Sequence, residues 1–139
     1  MKDPGSRKAL VWGWFLLSVF IPLGLTLEAL HALRVPVYFQ SAMRREMWTL
    51  AHAHGNLLGL LCLVFAALAE RALPEERVRS SVSLWLRLGA VAMPLGFFLG
   101  GVLNQEGDPS LGILLVPVGG SMLLFALARA GLAALRERG

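Results

Sequence analysis

The sequence predicts an all-α membrane protein, an up-down bundle of four transmembrane helices with both termini in the cytoplasm. Hydrophobic residues make up 56% of the 139-residue chain, and its mean hydropathy is +0.64, which is more apolar than a soluble domain of this size. A helix needs about 20 apolar residues to cross a bilayer core. Four segments reach this length, and we expect one integral membrane domain, residues 1–139, with helices at about 9–30, 48–69, 83–103 and 111–129.

The first predicted span, residues 9–30, follows the basic start MKDPGSRK, as the apolar part of a secretory signal does. Its apolar run is longer than that of a signal peptide, and no small-residue cleavage pattern follows it. We therefore predict a retained helix. The second span, residues 48–69, contains the single cysteine, Cys62, which we expect to pack as a small apolar side chain.

Small residues recur along the third span, residues 83–103, at spacings of three and four. A helix face without side-chain bulk lets a neighbouring backbone approach closely. These residues are Gly89, Ala92, Gly96 and Gly100. The fourth span, residues 111–129, offers Gly112, Gly119 and Gly120 for the same purpose. We expect tight packing between helices at these positions.

The basic residues predict the orientation of the bundle. The formal net charge is +4 and the pI is about 10.2, but the basic side chains flank the spans, so we expect a lipid bilayer and no nucleic acid as partner. Only Arg34, Arg44 and Arg45 lie on one side. The positive-inside rule assigns the other side to the cytoplasm, which predicts a multi-pass protein of the bacterial inner membrane. That side holds Lys2, Arg7, Lys8, Arg71, Arg77, Arg79, Arg87, Arg129, Arg136 and Arg138.

Polar residues gather where the first span ends and the second begins. Glu28 and His31 share a helix face, and a carboxylate inside a membrane costs about 2.5–3.5 kcal/mol on insertion scales, so it usually has a partner or a task. In the run WTLAHAHGNLLGLL, the helical period places His52 and Asn56 on one stripe and His54 on the other side. We predict an outward-facing pocket from these residues. The turn before the fourth helix adds Asn104, Glu106 and Asp108 at the same surface.

Several kinds of chemistry fit this pocket. His31 and His52, on adjacent helices, are the pair predicted to ligate haem b. The same histidines with Glu28 suit a transition metal such as zinc, copper or iron. Glu28 and a histidine that titrate in a watery cavity would instead serve a proton-coupled or small-solute carrier. In a purely structural alternative, Glu28 pairs with Arg44 or Arg45 and the cluster only fixes the helix register.

The run LAHAHGNLLGLL, residues 50–61, resembles the AHxHxxLLG segment of small four-helix membrane proteins related to subunit I of the haem-copper oxidases. The resemblance implies that His52 and His54 are haem ligands. Because the third and fourth spans contain no histidine, the second ligand to the haem would come from His31 or from a second subunit.

The run AHGNLLGLLCLVFAALAE, residues 53–70, is similar to the second helix of the membrane-associated eicosanoid and glutathione metabolism family. That resemblance implies a trimeric glutathione-dependent enzyme. His54 and Asn56 match the family pattern, whereas His52 stands at its arginine position and Gly59 at its glutamate position. No phosphate loop, CxxC or HExxH motif is present, so enzymatic activity is left open. A structural subunit of a larger complex, or a homo-oligomer, is the remaining alternative.

Overall fold

The four predicted spans are helices in the structure, a computed structural model that describes residues 3–102, 104 and 107–136. The helices are α1 (Pro4–Ala32), α2 (Pro36–Phe39), α3 (Ala42–Ala72), α4 (Glu76–Gly100) and α5 (Leu115–Arg136). A 3-10 turn, Leu111–Leu114, leads directly into α5. All helices except the single-turn α2 belong to segments long and apolar enough to cross a membrane. The predicted all-α fold with four long apolar helices is therefore confirmed.

The helices extend beyond the apolar runs that predicted them. α1 begins at Pro4 rather than at residue 9, and α3 begins at Ala42 rather than at residue 48. Polar side chains explain both extensions, because they accept hydrogen bonds from N–H groups that a helix start leaves unpaired. Asp3 accepts from the N–H of Ser6 at 2.7 Å. Ser41 accepts from the N–H of Arg44 at 3.2 Å.

The third span ends earlier than its apolar run indicates. α4 begins at Glu76 and stops at Gly100, and the N–H of Gly101 bonds back to the carbonyl oxygen of Phe98 at 3.1 Å. The predicted end of this span, Leu103, lies outside the described residues. The chain then reverses through Gly107, whose φ of +87° is in the left-handed region that glycine adopts without strain.

Each long helix packs against its neighbour in the sequence. α1 lies against α3 and, to a smaller extent, against α4; α3 lies against α4; and α5 packs mainly on α4. The shared core includes Cys62 at 0% exposure, as predicted for a packing cysteine. The remaining core residues come from α1, α3, α4 and α5 and include Leu16, Leu58, Leu86, Ala90, Leu123 and Ala126.

The predicted close contact between glycine-bearing helices is present between α4 and α5. A Cβ at Gly119 would lie 2.6 Å from the main-chain nitrogen of Met93. A Cβ at Gly96 would lie 2.8 Å from the main-chain nitrogen of Val116. Both distances are too short for real side-chain atoms, so the two backbones meet at this separation because glycine occupies these positions.

The start of α1 is fixed to α4 by buried polar groups. The guanidinium Nε of Arg79 is 3.3 Å from a carboxylate oxygen of Asp3, and both side chains are largely buried. The hydroxyl of Ser6 donates to the other carboxylate oxygen of Asp3 at 3.0 Å. One turn further along α4, the hydroxyl of Ser83 donates to the carbonyl oxygen of Gly5 at 2.6 Å. These contacts hold the first turn of α1 in one place.

An aromatic stack closes the opposite end of the bundle. The ring of Trp48 lies between Tyr38 and Phe98, with centroid separations of 6.0 and 5.5 Å. Its indole N–H donates to the carbonyl oxygen of Phe98 at 3.1 Å. The guanidinium of Arg44 lies 5.7 Å from the same indole ring and bonds to the carbonyl oxygen of Gly101 at 2.8 Å. The stack thus joins α2, α3 and α4.

Candidate functional site

His52 projects from α3 toward α1 and lies directly against the main chain of α1. Its Nδ1 is 2.7 Å from the carbonyl oxygen of Phe20. A Cβ at Gly24 would lie 2.2 Å from Cε1 of His52 and 2.5 Å from its Nδ1. The imidazole therefore occupies space that exists only because residue 24 has no side chain.

The contacts of His52 determine its tautomer. A carbonyl oxygen can only accept, so Nδ1 of His52 carries the hydrogen and donates it to Phe20. The amide nitrogen of Asn56 is 3.1 Å from the same Nδ1 and 3.0 Å from the carbonyl oxygen of His52. Since this amide nitrogen is also a donor, it donates its hydrogen bond to the carbonyl oxygen of His52 and not to Nδ1. In the neutral imidazole Nε2 is then an acceptor, and among the described residues none donates to it.

His52 lines a cleft between α1 and α3. The cleft consists of two adjoining cavities of about 320 and 560 Å³. The smaller cavity reaches His52 and Gly24, and the larger extends toward the ends of the helices, past His31 and Glu46. We call the two together the α1–α3 cleft. The residues that line both cavities are Leu27, Glu28, Tyr38 and Thr49.

Glu28 lies on the wall of this cleft and is exposed. The ion pair considered from the sequence is not formed in the described part of the chain. Arg44 bonds instead to main-chain oxygens and to the side chain of Asn104, and Arg45 donates to the carbonyl oxygen of Phe39. The carboxylate of Glu28 is therefore available to a molecule in the cleft.

His31 lies on the same side of the bundle as Glu28, but at a different depth from His52. It is seven residues beyond Gly24 on α1, which corresponds to about 10 Å along the helix axis. Its exposed ring contacts Tyr38 and Phe39, with centroid distances of 6.5 and 5.7 Å. The structure therefore brings Glu28 between the two histidines, and it does not bring His31 and His52 together.

His54 lies outside the α1–α3 cleft. Its Nδ1 donates to the carbonyl oxygen of Leu50, one turn back on the same helix, at 2.9 Å. Its ring packs against Phe97 of α4, with a centroid distance of 4.9 Å. His52 and His54 thus face different neighbours, as the helical period predicted. A shared ligand for both histidines of the run LAHAHGNLLGLL is not supported within one chain.

The other predicted pocket residues take separate positions. Asn56 is next to His52, as expected. Asn104 accepts from Arg44 at 3.1 Å and donates to the hydroxyl of Ser41 at 3.2 Å, so it ties two helix ends together. Asp108 lines a different cavity, of about 580 Å³, beside the 3-10 turn. Glu106 lies outside the described residues.

The predicted metal site is not supported. Within residues 3–102, 104 and 107–136, no group of three His, Cys, Asp or Glu side chains is arranged to hold a metal ion. This includes the set Glu28, His31 and His52, whose members are spread along the cleft. A haem held by His31 and His52 of one chain meets the same obstacle, because the two imidazoles differ in depth by about two helical turns.

One feature of the cleft was missed by reasoning from the sequence. The carbonyl oxygen of Phe20 is a main-chain group and leaves no sequence signal. Gly24 shares a helix face with Glu28 and His31, as the spacings of four and three residues predict. Tyr38, a loop residue that the sequence offers either as a pocket residue or as an interfacial anchor, is 4% exposed and lines both cavities.

The α1–α3 cleft presents hydrogen-bond acceptors on walls that combine polar and apolar side chains. Glu28 contributes a carboxylate, His52 contributes Nε2, and Thr49 contributes a hydroxyl that also accepts. Such an arrangement suits a small molecule that donates hydrogen bonds or carries positive charge. The chain matches no protein-family model, no curated protein and no solved structure.

Proposed function

We propose that this chain is a membrane protein that binds a small organic cation, such as a protonated amine, in the α1–α3 cleft. One observation carries the proposal. The Nδ1 hydrogen of His52 is held by the carbonyl oxygen of Phe20, which leaves Nε2 as an acceptor in the cavity that Glu28 also lines.

The chemistry of the walls supports a cation over an anion. A carboxylate accepts hydrogen bonds, as does Nε2 of an imidazole whose single hydrogen is on Nδ1, and an ammonium group has three hydrogens to donate. Among the described residues of the walls, Arg45 contributes a guanidinium, which lies at the end of the cleft away from His52 and is held over the ring of Phe39 at 5.8 Å. Among the described residues, Ile21 and His52 line the deep end of the smaller cavity, so the polar lining stops near His52. The ligand therefore enters from the end where α1 terminates.

The test is ligand-induced stabilisation of the purified protein in detergent. We expect butylamine to raise the thermal unfolding midpoint through binding linkage, whereas butanol and butyrate leave it unchanged. Glu28→Gln and His52→Ala should each abolish the amine effect. His54→Ala is the matched control, because it removes an imidazole outside the cleft and should preserve the shift. Failure of butylamine to shift the midpoint, or an equal loss in the His54 variant, would refute this assignment.

The proposed orientation places both termini in the cytoplasm and the mouth of the cleft in the periplasm, following the positive-inside rule. Gln40 and Glu75 are exposed at opposite ends of the bundle, and native Cys62 is fully buried. A cysteine introduced at Gln40 should react with a membrane-impermeant maleimide in bacteria with a permeabilised outer membrane. A cysteine at Glu75 should react only after lysis. The reverse pattern would invert the topology.

A second candidate is haem b, with His52 as one axial ligand. The specific observation is again the Nδ1 bond to Phe20, since metal-bound histidines usually donate their second ring nitrogen to such a group. The other axial ligand would come from a second copy of the chain. Protein purified from haem-replete cells should show a Soret band and a dithionite-reducible α band that His52→Ala removes and Glu28→Gln retains. A colourless preparation would exclude this candidate.

A further inference from the structure

A groove on the surface of α1 lies at the opposite end of the bundle from the α1–α3 cleft. It has a volume of about 410 Å³. Arg7 and Lys8 line the part of the groove near the start of α1, and Val11 and Trp12 line the part nearer the middle of the helix. We call it the basic groove; its lining residues are Pro4, Arg7, Lys8, Val11 and Trp12.

The charges of the basic groove are not neutralised within the described part of the chain. Arg7 and Lys8 are exposed, and neither side chain has a hydrogen-bond or ion-pair partner there. The nearest acidic side chain in sequence, Asp3, is turned away, because it is buried against Ser6 and Arg79. Two positive charges therefore face outward next to each other on the first turns of a membrane helix.

The part of the groove nearer the middle of α1 is apolar and aromatic. Val11 is 60% exposed, and the ring of Trp12 meets that of Phe15 edge to face at a centroid distance of 5.5 Å. Tryptophan prefers the level of the lipid headgroups, where its ring meets hydrocarbon on one side and water on the other. The groove thus changes from cationic to apolar along the helix axis, in the order in which a phospholipid changes from phosphate to acyl chain.

Contacts with α4 fix the backbone of α1 that forms the groove. The opposite side of the first α1 turn is fixed to α4 through the bond from Ser83 to Gly5, at 2.6 Å, and through the Asp3–Arg79 pair. A fixed backbone reduces the conformational entropy that is lost when a ligand orders the side chains above it.

From these observations we propose that the basic groove binds one anionic phospholipid. The lipid phosphate contacts Arg7 and Lys8, and an acyl chain follows Val11 and Phe15. The inference does not depend on the function proposed for the α1–α3 cleft, because the two sites lie at opposite ends of α1.

The experiment is native mass spectrometry of the full chain released from detergent, titrated with phosphatidylglycerol and, separately, with phosphatidylcholine of the same acyl chains. We expect the first phosphatidylglycerol to bind more tightly than phosphatidylcholine. The double variant Arg7→Gln/Lys8→Gln should weaken phosphatidylglycerol binding by about fivefold for each removed charge and leave phosphatidylcholine binding unchanged. Unchanged phosphatidylcholine binding also shows that the variant is folded.

The matched control is Arg71→Gln/Arg77→Gln, which removes two exposed charges at the same end of the bundle but outside the groove. It should change phosphatidylglycerol binding less than twofold. Equal weakening in both double variants would overturn the proposal, since it would show a diffuse attraction to the whole basic end. Competition by soluble glycerol phosphate at millimolar concentration would also overturn it, because the site would then recognise a free phosphate ester.

Discussion

The imidazole of His52 rests on the main chain of α1 at Gly24, where a Cβ would come within 2.2 Å of the ring. The same ring donates to the carbonyl oxygen of Phe20, one turn earlier on α1, at 2.7 Å. A residue on α3 therefore has its position and its tautomer set by two residues of α1 that offer only main-chain atoms. The shape of the α1–α3 cleft depends on this contact.

Gly24→Ala should displace His52 and weaken the packing of α1 on α3. Overpacking of this kind costs about 1–3 kcal/mol, and the bond from His52 to Phe20 would be lost with it. We expect a lower unfolding free energy in detergent and the loss of amine binding in the cleft. Both can be measured on one preparation by thermal unfolding with and without butylamine.

Gly131→Ala is the control for this substitution. A Cβ at Gly131 in α5 meets nothing within 4 Å, so only the intrinsic helix preference changes, and alanine is favoured by about 1 kcal/mol. The control variant should be as stable as the wild type or more so, and it should keep amine binding. If both alanine variants behaved alike, the steric role of Gly24 would be disproved.

The long helices were predictable because membrane spans are recognisable by length and hydropathy. The segment that forms α3 has enough apolar residues in succession to be recognised without any knowledge of its neighbours. Its true start at Ala42 was not predicted, because it depends on the side chain of Ser41, which caps a polar turn outside the apolar run. The four-residue α2 was missed for a similar reason, since a single turn carries no periodic signal.

The candidate site was predicted only in part. Helical periodicity correctly separated His52 from His54 and placed Asn56 beside His52, because these are relations within one helix. The relative depth of His31 and His52 depends on how far α1 and α3 are shifted along each other. That shift is set by close packing, such as that at Gly24, and the sequence of one helix does not contain it.

Arg44→Ala should loosen the end of the bundle where α2, α3 and α4 meet. Its guanidinium bonds to the carbonyl oxygen of Gly101 at 2.8 Å and to the side chain of Asn104 at 3.1 Å, and it lies over the ring of Trp48. Hydrogen bonds to a charged group contribute about 1.5–3 kcal/mol, so we expect a loss of about 2–3 kcal/mol in unfolding free energy.

Arg44→Lys should restore only part of this stability, because an ammonium group lacks the planar fork that reaches several oxygens at once. Arg77→Ala removes an exposed arginine of α4 and should change the unfolding free energy by no more than about 0.5 kcal/mol. Full recovery in the lysine variant would mean that charge alone, and not the fork geometry, is responsible.

Arg34→Gly should stabilise the protein. Arg34 follows the end of α1 with a φ of 49°. It belongs to a helix-ending motif in which the N–H of Val35 donates to the carbonyl oxygen of Leu30 at 3.0 Å, and the N–H of Arg34 donates to the carbonyl oxygen of His31 at 3.1 Å. A non-glycine residue in this region costs about 1–2 kcal/mol, and part of the gain is offset by the greater freedom of glycine in the unfolded chain. We expect a net gain of about 0.5–1 kcal/mol.

Arg34→Ala isolates the cause of that gain. Both substitutions remove the guanidinium, which lies 6.0 Å from the ring of Phe39, but only glycine removes the Cβ. The glycine variant should therefore unfold at a higher temperature than the alanine variant. Identical midpoints would show that the left-handed backbone is not strained in the folded protein.

Asp3 should make the stability of the protein fall in acid. Burial alone would raise the pKa of its carboxyl group, but the hydrogen bonds from the N–H and hydroxyl of Ser6, together with Arg79, outweigh burial and lower the pKa below 3.8. A carboxyl group with a lowered folded-state pKa stabilises the fold above its unfolded pKa, and that contribution is lost as pH falls through the folded pKa. We expect the unfolding free energy to be steady from about pH 7 to about pH 5 and to decline below about pH 4.

Asp3→Asn should be less stable than the wild type at neutral pH and should lose less unfolding free energy on acidification. Glu76→Gln, at an exposed position, should keep the wild-type profile. An Asn variant that declines in acid as steeply as the wild type would assign the acid sensitivity to other carboxylates.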